Sequence, residues 1–155
     1  MPMVKRACVV LLVIVASACG SSPTAPASPY PSVAGNYSGS VLFSFISLGT
    51  SLTCPATTTV NQSGASVTFA PLTFSGSCAS LGSLPFGDQT ITTTGSLGSA
   101  SQNNLFVASC NGYYNAVVSG GFFGTTFQFS MFYTAVSGGC VSQLGNFSIT
   151  GTLSR

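Results

Sequence analysis

The chain has almost no charge, and it has no histidine and no tryptophan. Charged residues make up 3% of its 155 positions, against ~25% in ordinary soluble domains. They are Lys5, Arg6, Asp88 and Arg155, so the net charge of +2 belongs largely to the first six residues. From residue 7 onward one Asp and one Arg remain. That leaves no basic patch for a nucleic-acid backbone and no acidic run for cations. General acid–base catalysis needs a titratable side chain beside the reacting proton. Asp88 has no His, Lys or second carboxylate to work with beyond the leader. Paired-carboxylate glycoside hydrolysis lacks its second member, and a serine nucleophile lacks a base. The sequence predicts no catalytic residue and a protein that is not an enzyme.

Long apolar runs are missing too. No stretch reaches the ~20 residues of a membrane-spanning helix. Low charge here does not mean disorder, which couples low hydrophobicity to high net charge; 45% of this chain is hydrophobic. Its polarity comes from Ser, Thr, Asn and Gln interleaved with Val, Phe, Tyr and Ile, a mixture that suits half-buried strands.

Residues 1–18 have the three parts of an export signal. Lys5 and Arg6 form a positive start, Ala7 to Val15 an apolar helical core, and Ala16-Ser17-Ala18 a small-residue cleavage site. The run from Ala7 to Ala18 is 12 residues, too short to cross a bilayer of ~30 Å at 1.5 Å per residue. Val15-Ala16-Ser17-Ala18-Cys19 resembles the bacterial lipobox, in which the cysteine sulfur takes a diacylglycerol. Ala16 stands where Leu is commonest, and ordinary signal peptidase cleavage at the same bond is the competing reading. Cysteine arithmetic favours lipidation. Cys8 leaves with the leader, and Cys19, Cys54, Cys78, Cys110 and Cys140 remain, an odd number for an exported chain. An acyl lipid on Cys19 leaves four that can pair. It is the one covalent group expected; the remaining cysteines lack the tight CxxC spacing of a zinc site, so no metal and no other cofactor is expected.

Residues 19–32 carry that cysteine and a tether, GSSPTAPASPYPS. Four prolines among Ser, Thr and Ala make a spacer that extends ~3.1 Å per residue. From Val33 to Arg155 the apolar pattern has period two. Tyr37, Val41, Phe43 and Phe45 oppose Asn36, Ser38, Ser40 and Ser44. Ala56, Thr58 and Val60 alternate with Thr57 and Thr59, then Asn61-Gln62-Ser63-Gly64 turns into Val67 and Phe69. Pro71 interrupts, and Leu72 and Phe74 fall on the opposite parity, which predicts a bulge or bend at Ala70-Pro71. Further strands are predicted over 89–94, 105–109, 113–119, 125–135 and 146–154. About eight strands with short Gly/Ser/Asn turns make an all-β, antiparallel up-and-down meander. It hides its edges by closing into a small barrel or, alternatively, as a two-sheet β-sandwich. Gly35-Asn36-Tyr37-Ser38 and Gly145-Asn146-Phe147-Ser148 open the first and last strands alike, as suits neighbours in a barrel. No helical period is legible after the leader.

The run Val33-Ala34-Gly35-Asn36-Tyr37-Ser38-Gly39 after a tether, the central Val60-Asn61-Gln62-Ser63-Gly64-Ala65-Ser66-Val67 and the closing Gly145–Arg155 resemble a group of small bacterial lipoproteins with β-meander domains, some of them lipocalin-like barrels. The group carries no established activity, so the resemblance implies a fold and a place in the envelope and no functional residue. Gly20, in place of an Asp after the lipidated cysteine, implies the outer membrane by the same resemblance. The expected partner is the lipid bilayer, through the anchor, and no nucleic acid.

Four cysteines allow three connectivities. Cys54–Cys78 and Cys110–Cys140 are expected, because each pair flanks one hairpin, the first turning at Ser63-Gly64 and the second near Gly121–Gly124, with the second Cys a few residues past direct register. For function, the leading reading is a membrane-anchored, non-catalytic envelope lipoprotein, structural or adhesive. The alternative is a module that holds a small apolar molecule inside the barrel, or a sugar against loop aromatics, for which Tyr113, Tyr114, Phe122 and Phe123 are the candidates. A ligand-sized cavity of roughly 300 Å³ or more would favour the alternative, and a filled interior the envelope role. Replacing Cys19→Ser should move the protein from the detergent-soluble membrane fraction to the soluble one, with mass spectrometry of the N-terminal peptide reporting the lost acyl groups.

Overall fold

The computed structural model describes residues 27–155; the leader, Cys19 and the tether as far as Pro26 lie outside them. The period-two pattern becomes ten strands: β1 (Gly35–Phe45), β2 (Thr50–Ser63), β3 (Ser66–Phe69), β4 (Leu72–Phe74), β5 (Ser83–Leu84), β6 (Gln89–Thr90), β7 (Ala100–Val107), β8 (Gly112–Phe123), β9 (Thr126–Gly138) and β10 (Phe147–Ser154). One antiparallel sheet runs β5-β4-β2-β1-β10-β9-β8-β7, with β3 beside β2 and β6 beside β3. It is an up-and-down meander of eight strands curled nearly into a closed barrel. β1 and β10 are neighbours, paired from Ser38↔Ser154 to Phe45↔Phe147. Their Gly-Asn openings therefore fall at opposite ends of the pair.

Two ends of the barrel can be distinguished. The tether enters at the end that holds the Ser63–Ser66 and Phe123–Thr126 turns. The far end holds the Phe45–Thr50 turn and a short helix, α1 (Gly139–Gln143). The bend at Ala70-Pro71 lies between β3 and β4, which both pair with β2. It is held by Thr58 Oγ1 donating to Ala70 O at 2.7 Å.

The ladder leaves a seam between β5 and β7, closed in two other ways. At the tether end, residues 91–98 bridge β3 to β8: Ile91 N donates to Ala65 O at 2.8 Å, and Leu97 N to Gly120 O at 2.9 Å. Along the seam, the Gln102 amide of β7 donates to Phe86 O at 3.1 Å and to Asp88 O at 3.5 Å. Gly87, at φ 77°, lets that amide lie where a Cβ would stand.

Inward side chains fill the barrel. Around the tether end pack Tyr37, Phe69, Phe86, Phe122, Phe127 and Phe129, with Phe69–Phe86 centroids 4.3 Å and Phe122–Phe127 centroids 4.6 Å apart. Toward the far end pack Phe43, Phe74, Tyr114, Tyr133 and Phe147. Val41, Val118, Met131 and Ile149 are buried between them. Across the middle, register places Val41, Gly151, Phe129 and Gly120 side by side on β1, β10, β9 and β8. A Cβ on Gly151 would lie 2.6 Å from Val41 Cγ1 and 3.0 Å from Phe129 Cζ, and one on Gly120 2.8 Å from Phe129 Cα. The ring of Phe129 thus occupies the space that Gly151 leaves beside it. Glycines at such positions let a sheet bend sharply. Among the described residues, Gln89 is the buried side chain whose amide atoms find no hydrogen-bond partner.

Several features differ from the sequence reading. β2 begins at Thr50 because β1 reaches Phe45 and supplies a partner for each residue from Thr50 on. The two-residue β5 was not expected. Among the described residues, three short helical segments occur, at Gly76–Leu81, Ala108–Cys110 and Gly139–Gln143. Each is too short to display an apolar period, and each carries one bridged cysteine. The bridges are Cys54–Cys78 and Cys110–Cys140, with Cα separations of 5.7 and 4.8 Å. Each can contribute ~2–4 kcal/mol. Cys78 lies two residues past register with Cys54, counted from the Ala56↔Phe74 pair. Cys110 and Cys140 instead continue the Gly112↔Gly138 register directly, because a bulge at Tyr113/Tyr114 absorbs the expected offset.

The folded unit also starts earlier than Val33. Tyr30 packs against the core. Gln62 Oε1 accepts from Val33 N and Gln62 Nε2 donates to Pro31 O, both at 2.8 Å. Arg155 donates to Ala34 O at 2.8 Å and to Ser32 O at 2.9 Å, its guanidinium 6.0 Å above the Tyr37 ring. Phe129→Ala should empty the middle row and cost about 3–5 kcal/mol in denaturant unfolding. Phe123→Ala, at a side chain that is 60% exposed, should change stability by no more than about 0.5 kcal/mol.

Candidate functional site

The four candidate aromatics do not form one site. All lie on β8 rather than in loops, and alternation divides them between two faces. Tyr114 and Phe122 are buried in the core, whereas Tyr113 and Phe123 are exposed. Ten residues of extended strand, about 33 Å, separate the exposed pair. The signal that assigns Tyr114 and Phe122 inward was present: each shares parity with Ala116 and Val118.

Tyr114 has a structural task, shared with two other tyrosines. Its hydroxyl donates to Gly145 O at 3.0 Å and holds the segment between α1 and β10. Tyr133 donates to Pro85 O at 3.0 Å and holds the segment between β5 and β6. Tyr37 donates to Val33 O at 2.9 Å and holds the end of the tether. Each ring lies in the core while its hydroxyl pins chain that no ladder holds. Burial pushes all three phenols up, Tyr114 to about 12; at Tyr37 the nearby Arg155 charge partly offsets this.

Asp88 is exposed, in the segment before β6. Among the described residues, no group of three or more His, Cys, Asp or Glu is placed to hold a metal ion, and no helix is long and apolar enough to cross a membrane.

An open groove of about 990 Å³ lies on the outer face, across β2, β1, β10, β9 and β8. Register builds its walls. Thr53, Leu42, Thr150, Ser130 and Ser119 form one outward row. Ser40, Thr152 and Gln128 form a second, about 6.7 Å along the strands. Phe123 stands at the rim, and Gly120 and Gly151 form part of the floor. The row of Val41, Gly151, Phe129 and Gly120 faces inward, so between the two outward rows the groove is floored by backbone. Its polar groups are hydroxyls and one amide, with no charge, so it offers donors and acceptors to a neutral, hydroxyl-rich surface and has nothing to attract an ion. Sequence reasoning missed it, because the groove arises from cross-strand register.

In comparisons with known proteins the chain matches no protein-family model, no curated protein and no solved structure. The buried phenols predict a one-sided pH response. Unfolded tyrosines ionise near pH 10. The folded values are raised, so stability from keeping these groups protonated is full below about pH 10 and is lost as pH rises toward 12 and beyond. Phenolate difference absorbance should show Tyr37, Tyr114 and Tyr133 ionising only as circular dichroism reports unfolding.

Proposed function

We propose that this protein is a lipid-anchored envelope lipoprotein, exported and held at the outer membrane through an acyl lipid on Cys19. Its β domain acts as a non-catalytic adhesive body through its outer face. The observation that carries this reading is the filled interior. Two aromatic clusters and the row around Phe129 occupy the space that a lipocalin-like ligand would need. Capacity for contact then lies outside, where the groove presents Ser, Thr and Gln with Leu42 and Phe123. The bridged cysteines and the single exposed carboxylate support a body without chemistry of its own.

The same groove favours one form of the carbohydrate-binding alternative. Hydroxyl rows with an aromatic at the rim suit a neutral glycan lying across the strands. The test is co-sedimentation of the Cys19→Ser protein with isolated bacterial wall sacculi and with chitin particles. Thr150→Glu and Ser130→Glu place charge on exposed groove positions and should reduce the bound fraction about tenfold, or ~1.4 kcal/mol. Asp88→Asn should leave binding unchanged. Binding that survives both groove substitutions would remove the outer face from the reading.

A further inference from the structure

We infer that the far end of the barrel is a second lipid-contacting surface, which rests shallowly on the membrane that holds the anchor. The exposed apolar side chains are unevenly placed. Of the eleven large ones among the described residues, six (Ile46, Leu48, Phe106, Tyr113, Val136 and Val141) lie on the turns, helix and strand ends of the far end. Ile46 and Leu48 are 57% and 63% exposed on the turn after β1, and Val141 is 54% exposed on α1. The turn and the helix are adjacent, since Ile46 N donates to Asn146 O and Gly145 lies against Ser47. Phe106 and Tyr113 pack together at 5.4 Å where β7 turns into β8. Among the described residues, this end carries no charged side chain. Arg155 is bound to the tether at the opposite end, and Asp88 lies near there, beside the β3–β6 pair.

Three observations favour a lipid surface over a protein. First, the apolar groups project from turns and strand ends around the mouth, as side chains that enter an interfacial layer do. They include a Tyr, a residue type enriched at membrane interfaces. Second, there is no charge to complement a protein partner or to resist desolvation. Third, the reach fits. Ahead of the docked Tyr30, residues 20–29 number 10, about 31 Å of Pro-rich chain. The 11 residues of β1 span about 36 Å, which a strand tilt of about 40° shortens to about 28 Å along the barrel axis. A lipid at Cys19 can therefore share a membrane with the far end while the tether runs alongside the barrel to its docking point at Gln62 and Arg155. The inference rests on the anchored reading for its geometry.

The test imposes the anchor chemically, so its outcome does not depend on whether a host lipidates the chain. Mature protein starting at Cys19, whose other four cysteines are bridged, is coupled through that thiol to maleimide lipid in phosphatidylcholine vesicles. The chain has no Trp, so Leu48→Trp gives a single probe at the far end and Ser63→Trp one at the tether end. With brominated phosphatidylcholine in the same vesicles, Leu48→Trp should shift to the blue and lose roughly half or more of its emission, and Ser63→Trp should not. Adding Ile46→Ser and Val141→Ser to the Leu48→Trp chain should restore the emission; these positions are exposed, and circular dichroism checks the fold. Equal emission with and without bromine overturns the inference, as does quenching equal at both ends. Quenching only by brominated vesicles added from outside would assign the end to a facing membrane and overturn it too. So would a Cys19→Ser chain that sediments as a dimer and becomes monomeric with Leu48→Ser, which would assign the surface to a second copy.

Discussion

Phe129 lies between two glycines on neighbouring strands, and the curvature of the barrel depends on that contact. A sheet closes only if it coils, and coiling crowds the inward side chains at the bend. With Gly120 on β8 and Gly151 on β10, the strands can approach there without colliding Cβ atoms. The ring on β9 recovers the packing that the glycines forgo. Gly39 of β1 makes the same concession one row on, against the backbone of Thr152 and Leu153. Seen from outside, the same inward row leaves backbone between two rows of polar side chains, and that strip is the floor of the outer groove.

The near absence of charge explains how the remaining polar groups are used. Most domains keep their surface wet with Lys and Glu, whereas this one does so with short hydroxyl side chains on strands. Those side chains cannot reach across gaps. Segments outside the ladders are therefore held by the few long polar side chains available: Gln62 and Arg155 on the tether, Gln102 across the seam, and the tyrosine hydroxyls from within. Where no such side chain is present, a disulfide takes over. Cys78 ties the segment between β4 and β5 to β2, and Cys110–Cys140 fastens the hairpin of β8 and β9 beyond its last ladder pair.

Much of the fold was legible because alternation is a local signal. The parity break across Ala70-Pro71 disclosed a bend between β3 and β4, and the shared opening of the first and last strands disclosed that β1 and β10 are neighbours. The turns at Ser63-Gly64 and near Gly121–Gly124 were enough to pair the cysteines. What escaped depends on partners distant in sequence. β2 extends back to Thr50 only because β1 is there to pair with it. The amide of Gln102 has its meaning from a glycine fifteen residues away. The docked tether is held by residues 62 and 155. Tyr114 and Phe122 were misplaced for another reason: a run of Gly and aromatics resembles a loop when it is read for composition, and parity with Ala116 and Val118 assigns it to the core.

The two ends of the domain solve different problems with the same scarcity of charge. At the tether end, chain enters from outside and must be gripped, so Arg155, the Gln62 amide and the Tyr37 hydroxyl all bond to it there. At the far end the strands stop, α1 and the Cys110–Cys140 bridge seal them covalently, and no charged side chain is needed for docking. A covalent seal does not depend on water being excluded or admitted. It leaves the side chains of Ile46, Leu48 and Val141 free of any part in holding the fold, since they are exposed while Cys110 and Cys140 are buried. An end whose main fastenings, the bridge and the Tyr114 hydroxyl bond to Gly145, come from buried side chains can trade water for lipid without loosening the barrel, whereas the exposed Arg155 hydrogen bonds at the tether end would face an apolar phase at a cost.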